Sequence, residues 1–397
     1  MRGPLAVGMS KRALAATLLA AAGYAGLSAG LALDRAAATN PALARLVPEP
    51  LRQQVLASQG QALVKAGRPH GLTPLAETLL RRDPLAPQAA GLLGVARLAE
   101  GNALGAASAF RTSAKLGWRD ASTQVYWLQM AVAAGDMPRA STRFSAIVRQ
   151  WPEAPAIDQL SIQFESAPRG QMLIARQIAD GAKWARTYAQ PQARQPLDRL
   201  ARRAAVLIAA AGLGSELGCD AVGPMVVRLA QAQPILANRL WTSQCPRAAA
   251  PGLINDPGFE QAVQASGQTP FDWQFPGNGA LQAGVIRNRT GSSALRAKST
   301  AAILVPLAMQ RIVIAPGNYT LSWREVDGGN QTTARIAGSL SCRPERVLAE
   351  PRTGSAADGS GRLALAYGGG CEAPLLQLWL TPGPGEVIID DVALTRR

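Results

Sequence analysis

The sequence predicts a multidomain α plus β chain: an N-terminal transmembrane helix, then a helical domain, then a C-terminal antiparallel β-sandwich. Three observations carry this. Residues 13–33 hold no charged side chain and follow Arg2, Lys11 and Arg12. From about residue 51 to residue 245, apolar side chains recur at helical spacing between Gly and Pro breakers. Beyond residue 251, short alternating runs are separated by Gly, Pro, Asn and Thr clusters, the pattern of a sandwich. With 397 residues, 48% hydrophobic and 17% charged, the chain has length and apolar content for two cored domains. The expected divisions are a basic cytoplasmic tail (1–12), a transmembrane signal anchor (13–33), a helical domain (50–245), a linker (246–252) and a β domain (253–397).

The run from Ala13 to Leu33 reaches ~30 Å as a helix, enough to cross a hydrocarbon core. Its positive flank directs the N-terminus to the cytoplasm and the body outward. The chain is rich in Ala and uses Arg far more than Lys, which points to a GC-rich bacterial genome. The expected location is therefore the bacterial inner membrane, single-pass, with the body in the periplasm. Ala36-Ala37-Ala38 offers a small-residue cleavage site, so a cleaved signal peptide is the alternative to an anchor. Cys219 and Cys245 fall in the helical domain, Cys342 and Cys371 in the β domain. Their even count and local spacing suit two intradomain disulfides in an oxidising compartment, one of three possible connectivities. Zinc is disfavoured, because there is no CxxC spacing and His70 is the sole histidine.

The net charge of +15 is concentrated in residues 1–250, and the remainder is nearly balanced. A basic half suits anionic lipid, acidic polysaccharide or an acidic protein; a solvated Arg-rich surface is the plain alternative. The cations are scattered, without the interleaved aromatics of a nucleic-acid site, so no nucleic-acid partner is expected.

Within the helical half the breakers keep time. Gly67, Gly101 and Gly135 are spaced by 34 residues, as are Ala106 with Ala140 and Phe110 with Phe144; Pro84 and Pro152 are two periods apart. A helix, a Gly turn, then a helix with Ala and Phe resembles the tetratricopeptide repeat over about residues 60–165. The first unit departs from it, with Ala76 where Phe is expected. Small Ala permits close helix approach while Phe fills the gap between units. The resemblance implies an α-solenoid whose concave surface holds a protein partner; an irregular helical bundle is the alternative.

The β half carries its own motifs: LINDPGFE at 253–260, FDW ending at Trp273, SAL at 293–295, IAPGNYTLSW at 314–323 and IDDV at 389–392. In this order they resemble the jelly-roll carbohydrate-binding modules of families 4 and 9, across about residues 251–397. That resemblance implies a jelly-roll fold, possible polysaccharide binding, and a structural calcium held by Glu260 and Asp390 with Asp256 nearby. The Cys342–Cys371 pair departs from the family pattern and reads as a clasp on the Gly/Ser-rich segment between them. Alternation places Tyr319, Leu321 and Trp323 in the core, and likewise Leu376, Leu378 and Leu380. It turns Gln377 and Trp379 outward, where a Trp ring can stack on sugar C–H faces while Gln377 and Arg324 bond hydroxyls. Trp379, Gln377 and Arg324 are thus the candidate glycan contacts; a Trp covered by a loop or by the helical domain is the alternative. Three Asn-x-Thr sequons, at Asn288, Asn318 and Asn330, carry no weight in a bacterium.

Nothing in the sequence assembles an active site. His70 is isolated, and no GxSxG, Walker loop or HExxH occurs. Asp390 and Asp391 alternate across one strand, which leaves Glu325 and Asp327 as the other close acidic pair. The expectation is a non-catalytic accessory or scaffold protein of polysaccharide assembly or export. The alternatives are a structural envelope scaffold without sugar binding, and a glycan hydrolase or esterase with an unrecognised site.

Overall fold

The computed structural model describes residues 11–150, 155–245, 252–262, 269–276, 279–287, 291–326, 335–345, 355–356 and 360–397. Pro152, Asp327, the sequons at Asn288 and Asn330, and most of the expected linker lie outside them. The chain forms two compact units, Met1–Trp151 and Pro152–Arg397.

The first unit is helical: α1 (Lys11–Thr39), α2 (Gln53–Lys65), α3 (Leu72–Arg82), α4 (Pro87–Ala99), α5 (Ala103–Leu116), α6 (Ala121–Ala133) and α7 (Met137–Gln150). By length and composition, Leu14–Thr39 is apolar enough to cross a membrane. The last turns of α1 are part of the folded unit. Ala37 packs with Val47 and Val55, against Leu33, Leu43 and Leu51. Asp34, 2% exposed, accepts the backbone N–H groups of Gln53, Gln54 and Val55 at 3.1, 2.7 and 3.1 Å. One carboxylate thereby satisfies three of the orphan donors at the start of α2 and complements its dipole.

The 34-residue spacing is realised as three like turns. Gly67, Gly101 and Gly135 each follow a helix with φ of +66°, +75° and +71°, a region that favours Gly. In each, the residue after the Gly donates back to the helix: Arg68 to Leu63, Asn102 to Arg97 and Asp136 to Ala131, at 2.9, 2.8 and 2.8 Å. These are the 6→1 bonds of a Schellman cap. Asn102 and Asp136 then cap α5 and α7 through the N–H of Gly105 and Arg139. Ala106, Ala140, Phe110 and Phe144 are all buried. In the first unit of the period, Leu72 stands at the Ala position and Ala76 at the Phe position, and both are buried.

The second unit opens with α8 (Pro155–Glu165), α9 (Pro168–Ala179), α10 (Ala185–Ala189), α11 (Leu197–Ala211), α12 (Cys219–Leu229) and α13 (Pro234–Gln244). Cys219, at the start of α12, is bonded to Cys245, just past α13. The β part follows: β1 (Leu281–Arg287), β2 (Ser293–Ser299), β3 (Val305–Arg311), β4 (Gly317–Glu325), β5 (Ile336–Ser341), β6 (Ser355–Ala356), β7 (Ser360–Tyr367), β8 (Leu375–Leu380) and β9 (Val387–Arg396). They form a sandwich of two antiparallel sheets, ordered β1-β2-β9-β4-β7-β6 and β3-β8-β5. Tyr319, Leu321 and Trp323 of β4 meet Leu376, Leu378 and Leu380 of β8 in one core. Gly361 of β7 pairs with Trp323 across the ladder, and a Cβ there would collide with the indole. The segment before β1 adds to this core: Trp273 lies tilted against Phe259, ring centroids 5.3 Å apart, and donates to the Asp256 carbonyl at 2.9 Å. The second disulfide, Cys342–Cys371, joins the ends of β5 and the β7–β8 loop.

Candidate functional site

The outward reading of Gln377 and Trp379 is corrected by the structure: they are 1% and 0% exposed. Alternation gave the parity correctly, since Leu376, Leu378 and Leu380 face the core. The opposite face of β8 is also covered: every residue from Leu375 to Leu380 is buried. Gln377 clamps the chain beyond β5: its Oε1 accepts the Glu345 N–H at 2.9 Å and its Nε2 donates to the Glu345 carbonyl at 3.2 Å. Trp379 Nε1 donates to Ser339 Oγ at 3.1 Å. Neither side chain is free to meet a glycan as placed. Arg324 lies on the other sheet, 51% exposed, with its guanidinium bonded to Asp390 and Asp391 at 2.7 Å each. The three candidate contacts are therefore not assembled into one site.

The acidic trio is partly assembled. Asp256 is buried on a loop at φ +53° and takes the Gln261 N–H at 3.1 Å on one oxygen. Its other oxygen is buried without a donor. Burial first, and then the neighbouring Glu260 carboxylate, pushes the Asp256 carboxyl up to about 6. Asp390 is also raised, by burial first and then by Asp391 and Glu260, against the opposing Arg324 and Asp391 N–H. Both Asp390 oxygens are engaged, one by the Asp391 N–H at 2.8 Å and one by Arg324. Among the described residues, no group of three or more His, Cys, Asp or Glu side chains is placed to hold a metal ion. Asp256 offers one buried oxygen without a donor beside the exposed Glu260 carboxylate, hard oxygens of the kind a calcium ion takes; Asp390 is drawn instead to Arg324.

Two features escaped the sequence. The first is the outer face of the six-stranded sheet. There β7 alternates buried and exposed residues along Ser360–Tyr367, Arg362 projects into solvent beside Ser322 of β4, and Arg296 and Lys298 are exposed on β2, on the far side of β9 from β4. The face has hydrogen-bond donors and positive charge. The second is a buried ion network. Arg203 of α11 bonds Glu165 at 3.2 Å and Asp158 at 2.8 Å, both on α8, and lies 4.5 Å over the Tyr188 ring. The Tyr188 hydroxyl donates to Glu165 at 2.8 Å, and burial followed by that carboxylate raises its pKa well above the usual phenol range. Paired and buried, these groups tie α8, α10 and α11 together. Arg199 and Arg203, one helical turn apart, were the only local sign of it.

An open recess of about 100 Å³ is lined by Asn238 and Thr242 of α13, the Gly252–Asn255 segment, Phe271 and Arg311. It is well below the roughly 300 Å³ at which ligand pockets begin.

No protein-family model and no curated protein matches the chain. Two solved structures resemble part of it. A family 61 carbohydrate-binding module, solved with β-1,4-galactotriose, aligns over 37% of this chain and 100% of its own, at 14% identity and a TM-score of 0.26. The enzymatically active domain of tailspike protein 4 of bacteriophage CBA120 aligns over 37% of this chain and 21% of its own, at 11% identity and a TM-score of 0.27. The chain thus spans about a fifth of the latter's length.

Proposed function

We propose that the protein is a non-catalytic, membrane-anchored accessory protein of the bacterial envelope, with its body in the periplasm, acting in polysaccharide assembly or export. In this reading the helical repeats form a tetratricopeptide-like solenoid that holds a protein partner. The sandwich is a jelly-roll module that meets glycan. The observation that carries the glycan part is the solvent-open outer face of the six-stranded sheet, with Arg296, Lys298 and Arg362 projecting from it. Such a face suits an acidic polysaccharide, whose carboxylates take guanidinium forks and whose hydroxyls meet Ser322 and Thr320. The anchor reading is supported by the end of α1. Ala36-Ala37-Ala38 lies within a helix, with Ala37 buried, whereas a peptidase needs an extended, accessible segment.

The test is retention of the full-length protein, in detergent, on immobilised acidic and neutral polysaccharides. We expect retention on the acidic ligand that weakens with salt and is lost in the Arg296→Ala/Arg362→Ala variant. Equal retention of wild type and variant overturns the assignment of this face. The competing reading, a scaffold that binds no sugar, is favoured by one observation: among the described residues of the sandwich, no aromatic ring is exposed as a stacking platform. Absence of retention on every acidic polysaccharide decides for it.

A further inference from the structure

The helix that carries the apolar span does not end where the span ends. Counted from Ala13, a ~30 Å hydrocarbon core is used up near Leu33. The chain then turns back on itself: residues 41–51 form two short 3₁₀ turns, Pro41–Arg45 and Glu49–Leu51, and Leu51 returns to lie against Gly30 of α1. Gly30 is four residues before Asp34, so Leu51 sits ~6 Å nearer the bilayer centre than the Asp34 carboxylate that caps α2. Leu51 thus lies just inside the acyl boundary, while Val47, which packs with Ala37 four residues beyond Leu33, lies ~6 Å outside it, at the depth of the lipid headgroups. The return segment exposes Leu46, at 66%, beside exposed Arg45, and Arg35, two residues beyond Leu33, is exposed on α1. Neither arginine has an ion pair among the described residues; the nearby Glu49 is taken by Arg82 at 2.7 Å.

We infer that residues 41–51 are an interfacial wedge that seats the first compact unit on an anionic lipid surface. Leu46 enters the boundary between headgroups and acyl chains, and Arg35 and Arg45 reach the phosphates. An apolar side chain between cations is the composition that binds this layer. The Asp34 clamp makes the arrangement rigid, so the unit is held at a fixed height and tilt rather than swinging on a tether. The inference rests on the reading of α1 as a membrane span.

The test uses the full-length protein reconstituted in phosphatidylcholine vesicles with and without phosphatidylglycerol. All four native cysteines are disulfide-bonded, so a polarity-sensitive fluorophore can be placed on a single new thiol by Leu18→Cys, Leu46→Cys or Leu104→Cys. Leu104 is an exposed aqueous control in the same unit. The label at position 46 is expected to shift to the blue and to be quenched by lipids brominated near the headgroup; that at 18 by deep bromine; that at 104 by neither. Quenching at 46 should rise with phosphatidylglycerol, and Arg35→Gln/Arg45→Gln should remove the rise. A label at 46 that stays in water while that at 18 is in lipid overturns the wedge and leaves the anchor standing. Labels in water at both positions overturn both. A phosphatidylglycerol effect unchanged by the double variant overturns the phosphate contact.

Discussion

The two sheets of the sandwich carry the same kind of alternating sequence and end in opposite environments. Along β7, Arg362, Ala364 and Ala366 are exposed between buried neighbours; along β8, Gln377 and Trp379 occupy the equivalent alternate positions and are buried. The period of two is a property of the backbone and fixes which residues share a face. Whether the second face meets water is decided by what else packs there, which is a property of the whole chain. For β8, the chain past β5 supplies part of the cover through the Glu345–Gln377 bonds. An alternation therefore gives parity, and a polar residue in it does not guarantee solvent.

The comparison breaks most easily at Trp379. Trp379→Ala should cost about 3–5 kcal/mol, the usual penalty for emptying a buried aromatic site, read as a lower denaturation midpoint in urea. A cost near zero would mean that the outer face of β8 is open after all. Next comes an adjacent pair on β7. Gly361 faces the Trp323 indole and Arg362 faces water. Gly361→Val should cost about 1–3 kcal/mol by overpacking, while Arg362→Ala should stay within about 0.5 kcal/mol of wild type. Similar costs for the two would erase the distinction between the faces of that sheet.

How much of this could be read beforehand depends on how local the physics is. The turns at Gly67, Gly101 and Gly135 were legible because a Schellman cap needs a positive φ at one defined position, which Gly supplies. The inward set Tyr319, Leu321 and Trp323 was legible for the same reason of short range. Arg324 was read as a free sugar contact. Its partners Asp390 and Asp391 lie on β9, 66 and 67 residues away, and strand pairing alone brings them together. The Arg203 network was missed because its members come from three helices, with separations up to 45 residues. Asp34 directly follows the uncharged run, and its role as a cap shows only once α2 folds back beside it.

The last expected effect concerns Asp256, and it sharpens the comparison from the edge of the core. Its carboxyl is pushed up to about 6 by burial and by Glu260, from an unfolded value of about 3.9. A carboxyl with a raised folded pKa holds its proton more tightly when folded. Its penalty is therefore absent below about pH 4, grows as pH rises through about 6, and is complete at neutral pH. Without divalent cations, the wild type should lose about 1–2 kcal/mol between pH 4 and pH 7 from this group, after allowance for solvent screening. Asp256→Asn should lack this share of the loss and be more stable than wild type at pH 7. If the two acids hold calcium, millimolar calcium at pH 7 reverses the order, stabilising wild type and leaving Asp256→Asn unchanged. A wild type indifferent to calcium would show that the pair holds no ion at that concentration, as the Arg324-bound position of Asp390 favours.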